Sequence, residues 1–206
     1  MIDAHVWTTP NGFKALIALE ELELPYTRRW VNIGAGEQHK PEYLAINPNN
    51  KIPAIVDHDG PDGKPVTVFE SGAVLVYLGD KARRLMPASG QARMTALEWL
   101  FFGAGGIGPM GGQLGYWNMF AKDKNPPAIE RYLTEVKRLV GVMERRLNDS
   151  AFLAGPDFTV ADIMNFTWTR ATSRLGVDMQ EYANVRRWLE AIEARPAVER
   201  ALALKP

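Results

Sequence analysis

Residues 48–82 read PNNKIPAIVDHDGPDGKPVTVFESGAVLVYLGDKA, and the order of elements in this stretch decides the fold. Ile52-Pro53-Ala54-Ile55-Val56 is a short apolar run, the pattern of a buried strand. Gly60-Pro61-Asp62-Gly63 is a turn leading into Val66-Thr67-Val68-Phe69, so the two runs form a hairpin. From Ser71 the run GAVLVYLGDKA predicts a helix, and Glu70-Ser71 stands at its start.

Toward the N-terminus, short strand-like runs alternate with helical spacing, the pattern of βαβ architecture. Ala4 to Trp7 reads as a first strand. It stops at Thr8-Thr9-Pro10-Asn11-Gly12, where a Thr before Pro starts a helix because Pro tolerates the first helical position. Phe13, Leu16, Ile17, Leu19 and Leu22 give that helix an apolar face, and Pro25 ends it. Tyr26 to Ile33 reads as a second strand. A polar loop opened by Gly34 and Gly36 runs to Asn50, interrupted by a helical turn at Pro41 to Ile46.

Toward the C-terminus, Arg84 to Gly90 is a linker, and beyond Gln91 strand patterns give way to helical ones. The expected organisation is an α/β domain over 1–83 (βαβ-α-ββα), a linker over 84–90 and an all-α helical domain over 91–206. Within Pro127 to Asn148, Ile129, Leu133, Val136, Val140, Met143 and Leu147 fall on one helical face. Thr159 and Asp162 have the spacing of a capping box, and Asn184 to Arg195 forms a helix stopped by Pro196. Seven glycines and Pro109 crowd residues 103–115; propensity favours a loop there, the alternative being a bent helix approached closely by another backbone or a ligand.

Composition narrows the chemistry. Lys plus Arg (24) balance Asp plus Glu (24), so no global basic field exists to hold nucleic acid or an anionic membrane. Cysteine is absent, which removes disulfides, thiolate metal sites and any protein thiol nucleophile; thiol chemistry must be imported. His5, His39 and His58 lack metal-ligand spacing, so no metal is expected. No leader-like N-terminus and no run of about 20 apolar residues appears, and the cytoplasm is the expected location.

This order of elements, with TPNG at the first helix, PNNKIPAIVDH at Pro48 to His58, FESGA at Phe69 to Ala73, GGIGPM at Gly105 to Met110 and AIERY at Ala128 to Tyr132, resembles the cytosolic glutathione S-transferase superfamily and, within it, the bacterial nu class. The resemblance covers nearly the whole chain. It implies a thioredoxin-like first domain, glutathione as co-substrate, a homodimer, and thiol–disulfide exchange on a small disulfide. The same thiolate site would serve conjugation to an electrophile or reduction of an organic hydroperoxide, and the fold also serves non-catalytic interaction modules.

Glutathione carries two carboxylates, an ammonium and a thiol, and the motifs offer a group for each. Ser71 and the backbone N–H groups at its helix start suit the γ-glutamyl carboxylate, with Glu70 for the ammonium, although Ser71 alone reads equally as an ordinary cap. The resemblance implies a cis bond between Ile52 and Pro53, with Ile52 exchanging main-chain hydrogen bonds with the cysteinyl unit and Lys51 and Gln38 meeting the glycyl end. Taken alone, Pro53 is an edge feature and Lys51 a solvated loop residue. Thr9 and Asn11 are the catalytic candidates: hydroxyl, amide and the positive helix end favour a thiolate there, and the alternative reading makes Thr9 simply a cap. The resemblance implies that Arg131, off the apolar stripe of its helix, reaches glutathione in the neighbouring subunit. Tyr116 and Trp117 are acceptor-side candidates that read equally as core aromatics.

Overall fold

In the computed structural model, which describes residues 1–206, the first strand β1 (Ile2–Val6) alternates buried Ile2, Ala4 and Val6 with partly exposed Asp3 and His5. That two-residue period puts one face of the strand on a core. Helix α1 (Pro10–Leu22) follows, with Pro10 at its first position and Glu23 in the left-handed conformation just past its end. Strand β2 (Tyr26–Trp30) pairs parallel to β1. It ends before the expected Ile33, because Asn32 turns the chain: its Oδ1 accepts from the Ala35 N–H at 3.1 Å and its own N–H donates to Glu37 at 2.7 Å.

A short helix α2 (Pro41–Leu44) precedes the hairpin of β3 (Ala54–Asp57) and β4 (Val66–Phe69), and helix α3 (Ser71–Ala82) closes the motif. The sheet order is β2-β1-β3-β4, with β3 antiparallel to both neighbours. This is the expected βαβ-α-ββα arrangement. Helices α1 and α3 pack on each other, and Val74, Leu75 and Leu78 of α3 are fully buried. Asp57, fully buried at the end of β3, accepts from Tyr77 at 2.6 Å and pairs with Lys81 at 2.8 Å, both on α3. Burial pushes its carboxyl up, but the donors of Lys81 and Tyr77 outweigh that and hold it below its ordinary value. A second apolar cluster joins Val31, Tyr43 and Ile52 with Trp7 and Ile33.

The remaining chain is helical: α4 (Gly90–Phe102), α5 (Gly108–Gly115), α6 (Pro126–Asn148), α7 (Val160–Thr172), α8 (Ala183–Glu193) and α9 (Pro196–Ala203). Asn125 caps α6, accepting from the Ala128 N–H at 3.2 Å, and Val136, Leu139, Val140, Met143 and Leu147 are its buried face. The capping box of Thr159 and Asp162 forms.

The glycine-rich segment is helix, not the loop that propensity favours. Residues 103–107 and 116–120 are π-helical turns on either side of α5. A Cβ on Gly103 would stand 2.6 Å from Met164 Cγ and 2.8 Å from Asn165 Oδ1, and one on Gly111 would stand 3.0 Å from the Trp168 ring. The missing side chains let α7 lie directly on this backbone, and that contact offsets the poor propensity of glycine.

Pro196 likewise ends one helix and opens another, since proline at the first helical position surrenders no hydrogen bond. Contacts divide the chain into residues 1–88 with 195–206, and 89–194. The last twelve residues therefore differ from the expected 91–206 boundary, because α9 packs on α1. Arg195 also pairs in two-pronged fashion with Glu21 of α1, at 2.6 and 2.7 Å, where the carboxylate is only 7% exposed.

Candidate active site

The strand register gathers the candidate residues of the first unit at one end of the sheet. Val6 faces Trp30, His5 faces Ala54 and Ala54 faces Phe69. The exit of β1 toward Thr9, the entry to β3 from Ile52-Pro53, and the exit of β4 into Glu70-Ser71 thus share that edge.

At the exit of β1 the chain turns sharply into α1. A Cβ on Gly12 would stand 2.0 Å from the Trp7 carbonyl oxygen, so only glycine lets the first helical turn abut the strand end. Thr9 is the cap: its backbone is extended and its Oγ1 accepts from the Gly12 N–H at 3.2 Å. The first turn carries no acidic residue, so the positive end of the helix is not neutralised from within. Asn11, in that turn, accepts through Oδ1 from Lys14 Nζ at 2.9 Å.

Lys14 is a buried neighbour of the candidate Asn11 that the sequence reading missed. It is 2% exposed. Burial pushes its ammonium down to about 7, against the pull of the Glu70 carboxylate nearby. A lysine in a helix ordinarily reads as solvated. The signal that was present is that α1 has no polar face, with buried Ile17, Ala18 and Glu21 following Lys14 at three, four and seven residues.

Lys51 is exposed at its side chain and pinned at its carbonyl, which accepts from Tyr43 at 2.6 Å and Asn47 Nδ2 at 2.7 Å. Burial pushes the Tyr43 phenol up to about 12, so it stays a donor at neutral pH. The Ile52–Pro53 bond is cis, as the resemblance implies, and both residues are buried. Gln38 donates to the Ile33 carbonyl at 3.3 Å, while its Oε1 is buried without a hydrogen-bond partner.

Glu70 adopts φ 68°, ψ 121°, a conformation that costs a residue with a Cβ on the order of 1–3 kcal/mol. Its carboxylate accepts from Asn49 Nδ2 at 3.2 Å, and no side chain caps α3. Ser71, half-buried, opens that helix. With no side-chain cap, the first N–H groups of α3 offer donors suited to an anion, next in sequence to the Glu70 carboxylate.

The other candidates lie on the second unit. Tyr116, 50% exposed, and half-buried Trp117 pack edge to face at 5.2 Å in the π-helical turn. Exposed Arg131 lines a cavity of about 650 Å³ with Met110, Pro127, Glu130, Tyr132 and Glu135. The chain has no group of His, Cys, Asp or Glu placed to hold a metal, and no helix long and apolar enough to cross a membrane.

Comparison with known proteins gives the same frame. Residues 8–81 match the family model for the glutathione S-transferase N-terminal domain and residues 95–196 that for the C-terminal domain. The chain is 45% identical to the disulfide-bond oxidoreductase YfcG of Escherichia coli, over 98% of this chain and 94% of that one. A crystal structure of a glutathione transferase family member from Pseudomonas fluorescens, with two glutathione bound, superposes with a TM-score of 0.93 at 42% identity, covering 98% of this chain and 92% of that one. The glutathione transferase from Pseudomonas putida, with one glutathione disulfide bound per subunit, gives 0.93 at 37% identity, covering all of this chain and 92% of that one.

Proposed function

We propose that this chain, which belongs to the glutathione S-transferase family, is a glutathione-dependent disulfide-bond oxidoreductase. The observation that carries the reading is the pairing of a cysteine-free sequence with two helix starts, at Thr9 and at Glu70-Ser71, that meet at one sheet edge. The relatives named above support it: one is a disulfide-bond oxidoreductase, and the others hold glutathione or its disulfide.

Glutathione fits the groups present. The uncapped N–H groups of α3 and the Ser71 hydroxyl take the γ-glutamyl carboxylate, and Glu70 takes the ammonium. The Ile52 main chain pairs with the cysteinyl unit, and Lys51 with Gln38 serves the glycyl end. Thr9 and Asn11 then face the sulfur. Thr9 has donor capacity to spare, because its oxygen accepts from Gly12 while its hydroxyl hydrogen can still donate outward. These donors and the positive end of α1 hold the sulfur as thiolate. The chemistry the tripeptide supplies is two exchanges: its thiolate displaces one thiolate from a disulfide, and a second glutathione displaces the other, leaving glutathione disulfide and two thiols. Such a cycle needs a reducing compartment, and the cytoplasm is the location we assign.

We assign the active form as a homodimer in which Arg131 binds glutathione held by the neighbouring subunit, and Tyr116 and Trp117 to the acceptor side. Calorimetric titration tests the binding half of the reading. Glutathione disulfide is expected to release heat and saturate at one per subunit, and Ser71→Ala to weaken binding about tenfold, the value of one lost charge-assisted hydrogen bond. No heat up to millimolar ligand would overturn the assignment.

A further inference from the structure

We infer that Tyr43 and Asn47 are positioning residues for glutathione: their side chains together fix the Lys51 carbonyl and, through the peptide plane it shares, aim the Ile52 N–H at the cysteinyl unit. The inference rests on the glutathione reading above, and names the residues that set one of its contacts.

Residues 47–53 lie between α2 and β3, outside any helix or strand, so no ladder of main-chain bonds holds their peptides in place. Side chains do it instead. The Lys51 carbonyl accepts from the Tyr43 hydroxyl at 2.6 Å and from Asn47 Nδ2 at 2.7 Å; a carbonyl oxygen has two lone pairs, and both are taken. The bond between Lys51 and Ile52 is trans, and a trans peptide is planar with its N–H opposite its C=O. Holding the oxygen toward Tyr43 and Asn47 therefore turns the Ile52 N–H away from them. Without those two donors the plane could rotate about the bonds on either side of it, and the N–H with it.

Both side chains are placed to hold rather than to meet solvent. Asn47 is 1% exposed, and an amide so buried is costly unless its two ends are bonded. Its Oδ1 accepts from the Asn49 N–H at 2.9 Å while its Nδ2 holds Lys51, and a main-chain donor beside a main-chain acceptor admits the amide only this way round. The Asn50 N–H closes the turn on the Asn47 carbonyl at 3.0 Å. Asn49 in turn donates to Glu70 at 3.2 Å, so one buried amide bears on the residues assigned to the cysteinyl unit and to the ammonium. Tyr43, 4% exposed, belongs to the apolar cluster that contains Ile52, and its hydroxyl reaches the carbonyl from that packed base. A phenylalanine there would pack as well; the oxygen it lacks is the one that reaches Lys51.

The test is the Tyr43→Phe variant, which removes one hydroxyl and keeps the ring, read by kinetics and by hydrogen exchange at single amides with glutathione disulfide bound. KM for glutathione is expected to rise about fivefold, the worth of one hydrogen bond, with kcat changed less than about twofold, because a contact to the carrier is kept from ground state to transition state. At saturating ligand, protection of the Ile52 N–H is expected to fall to about a third of its wild-type value or less, while that of Ser71 and Gly72, at the γ-glutamyl end, is unchanged. Asn47→Asp keeps the acceptor for Asn49 but sets a carboxylate oxygen against the Lys51 carbonyl, and is expected to raise KM more than about tenfold; Tyr43→Phe carries the test if that variant does not fold. A wild-type KM or full protection of Ile52 in Tyr43→Phe, or an equal loss of protection at Ile52, Ser71 and Gly72, overturns the positioning role and leaves the glutathione site standing. No protection by ligand at any of these amides in the wild-type protein would instead remove the site itself, and the inference with it.

Discussion

Replacing Thr9 by valine and Asn11 by alanine together lowers kcat for glutathione-dependent reduction of a small disulfide by about 10²–10³-fold, the loss typical of removing preorganised donors from a developing or bound anion. Thr9 caps α1 and Asn11 lies in its first turn, which has no acidic residue to neutralise its positive end and whose tight approach to β1 depends on Gly12. With the donors gone, the bound thiol ionises closer to an ordinary thiol value, so the rising limb of the kcat against pH profile moves upward. The substitution at Thr9 also removes a cap, at about 1 kcal/mol of stability. Thr9→Ser separates the two effects: it keeps both the cap and the donor, and its rate is expected to remain within a few-fold of wild type. Steady-state kinetics over pH, beside circular dichroism to verify folding, measures this.

Asp162→Ala is expected to lower stability by about 3–5 kcal/mol, the cost of stranding several buried donors. Asp162 is fully buried and accepts from Leu153 N–H, Thr159 N–H and Trp188 Nε1, each at 2.9 Å, and from the Thr159 hydroxyl at 3.1 Å. One carboxylate therefore closes the start of α7, holds the preceding turn at Leu153 and anchors the indole of α8. Burial pushes its carboxyl up and the four donors pull the other way. Asp162→Asn is expected to fall close to the alanine variant, because its NH2 group would face a donor. Urea unfolding followed by Trp fluorescence reads the loss; a change below about 1 kcal/mol would contradict this account of α7.

The hairpin and the helix starts were legible because each depends on residues adjacent in sequence: turn formers at Gly60–Gly63, Thr before Pro at α1, Thr and Asp three apart at α7. The helix through residues 103–115 was not, because its stability comes from Met164, Asn165 and Trp168, some 60 residues away, seated where glycine leaves the backbone bare. Strand β2 read too long for a related reason: Val31 and Ile33 are apolar because they cover Tyr43 and Ile52, not because they lie in the sheet. At the site, family motifs named the residues that meet at the sheet edge. Lys14 escaped because charge alone reads as exposure, and only the packing of α1 on both sides reverses that inference.

The central claim is that glutathione provides the sulfur that this cysteine-free chain lacks. The most direct measurement is turnover of a small symmetrical disulfide with glutathione, coupled to glutathione reductase, using protein first treated with an alkylating agent and then desalted. Turnover well above the uncatalysed rate, wholly dependent on glutathione and unchanged by the alkylation, is the predicted result. A folded protein that saturates with glutathione yet gives no rate above background would contradict it.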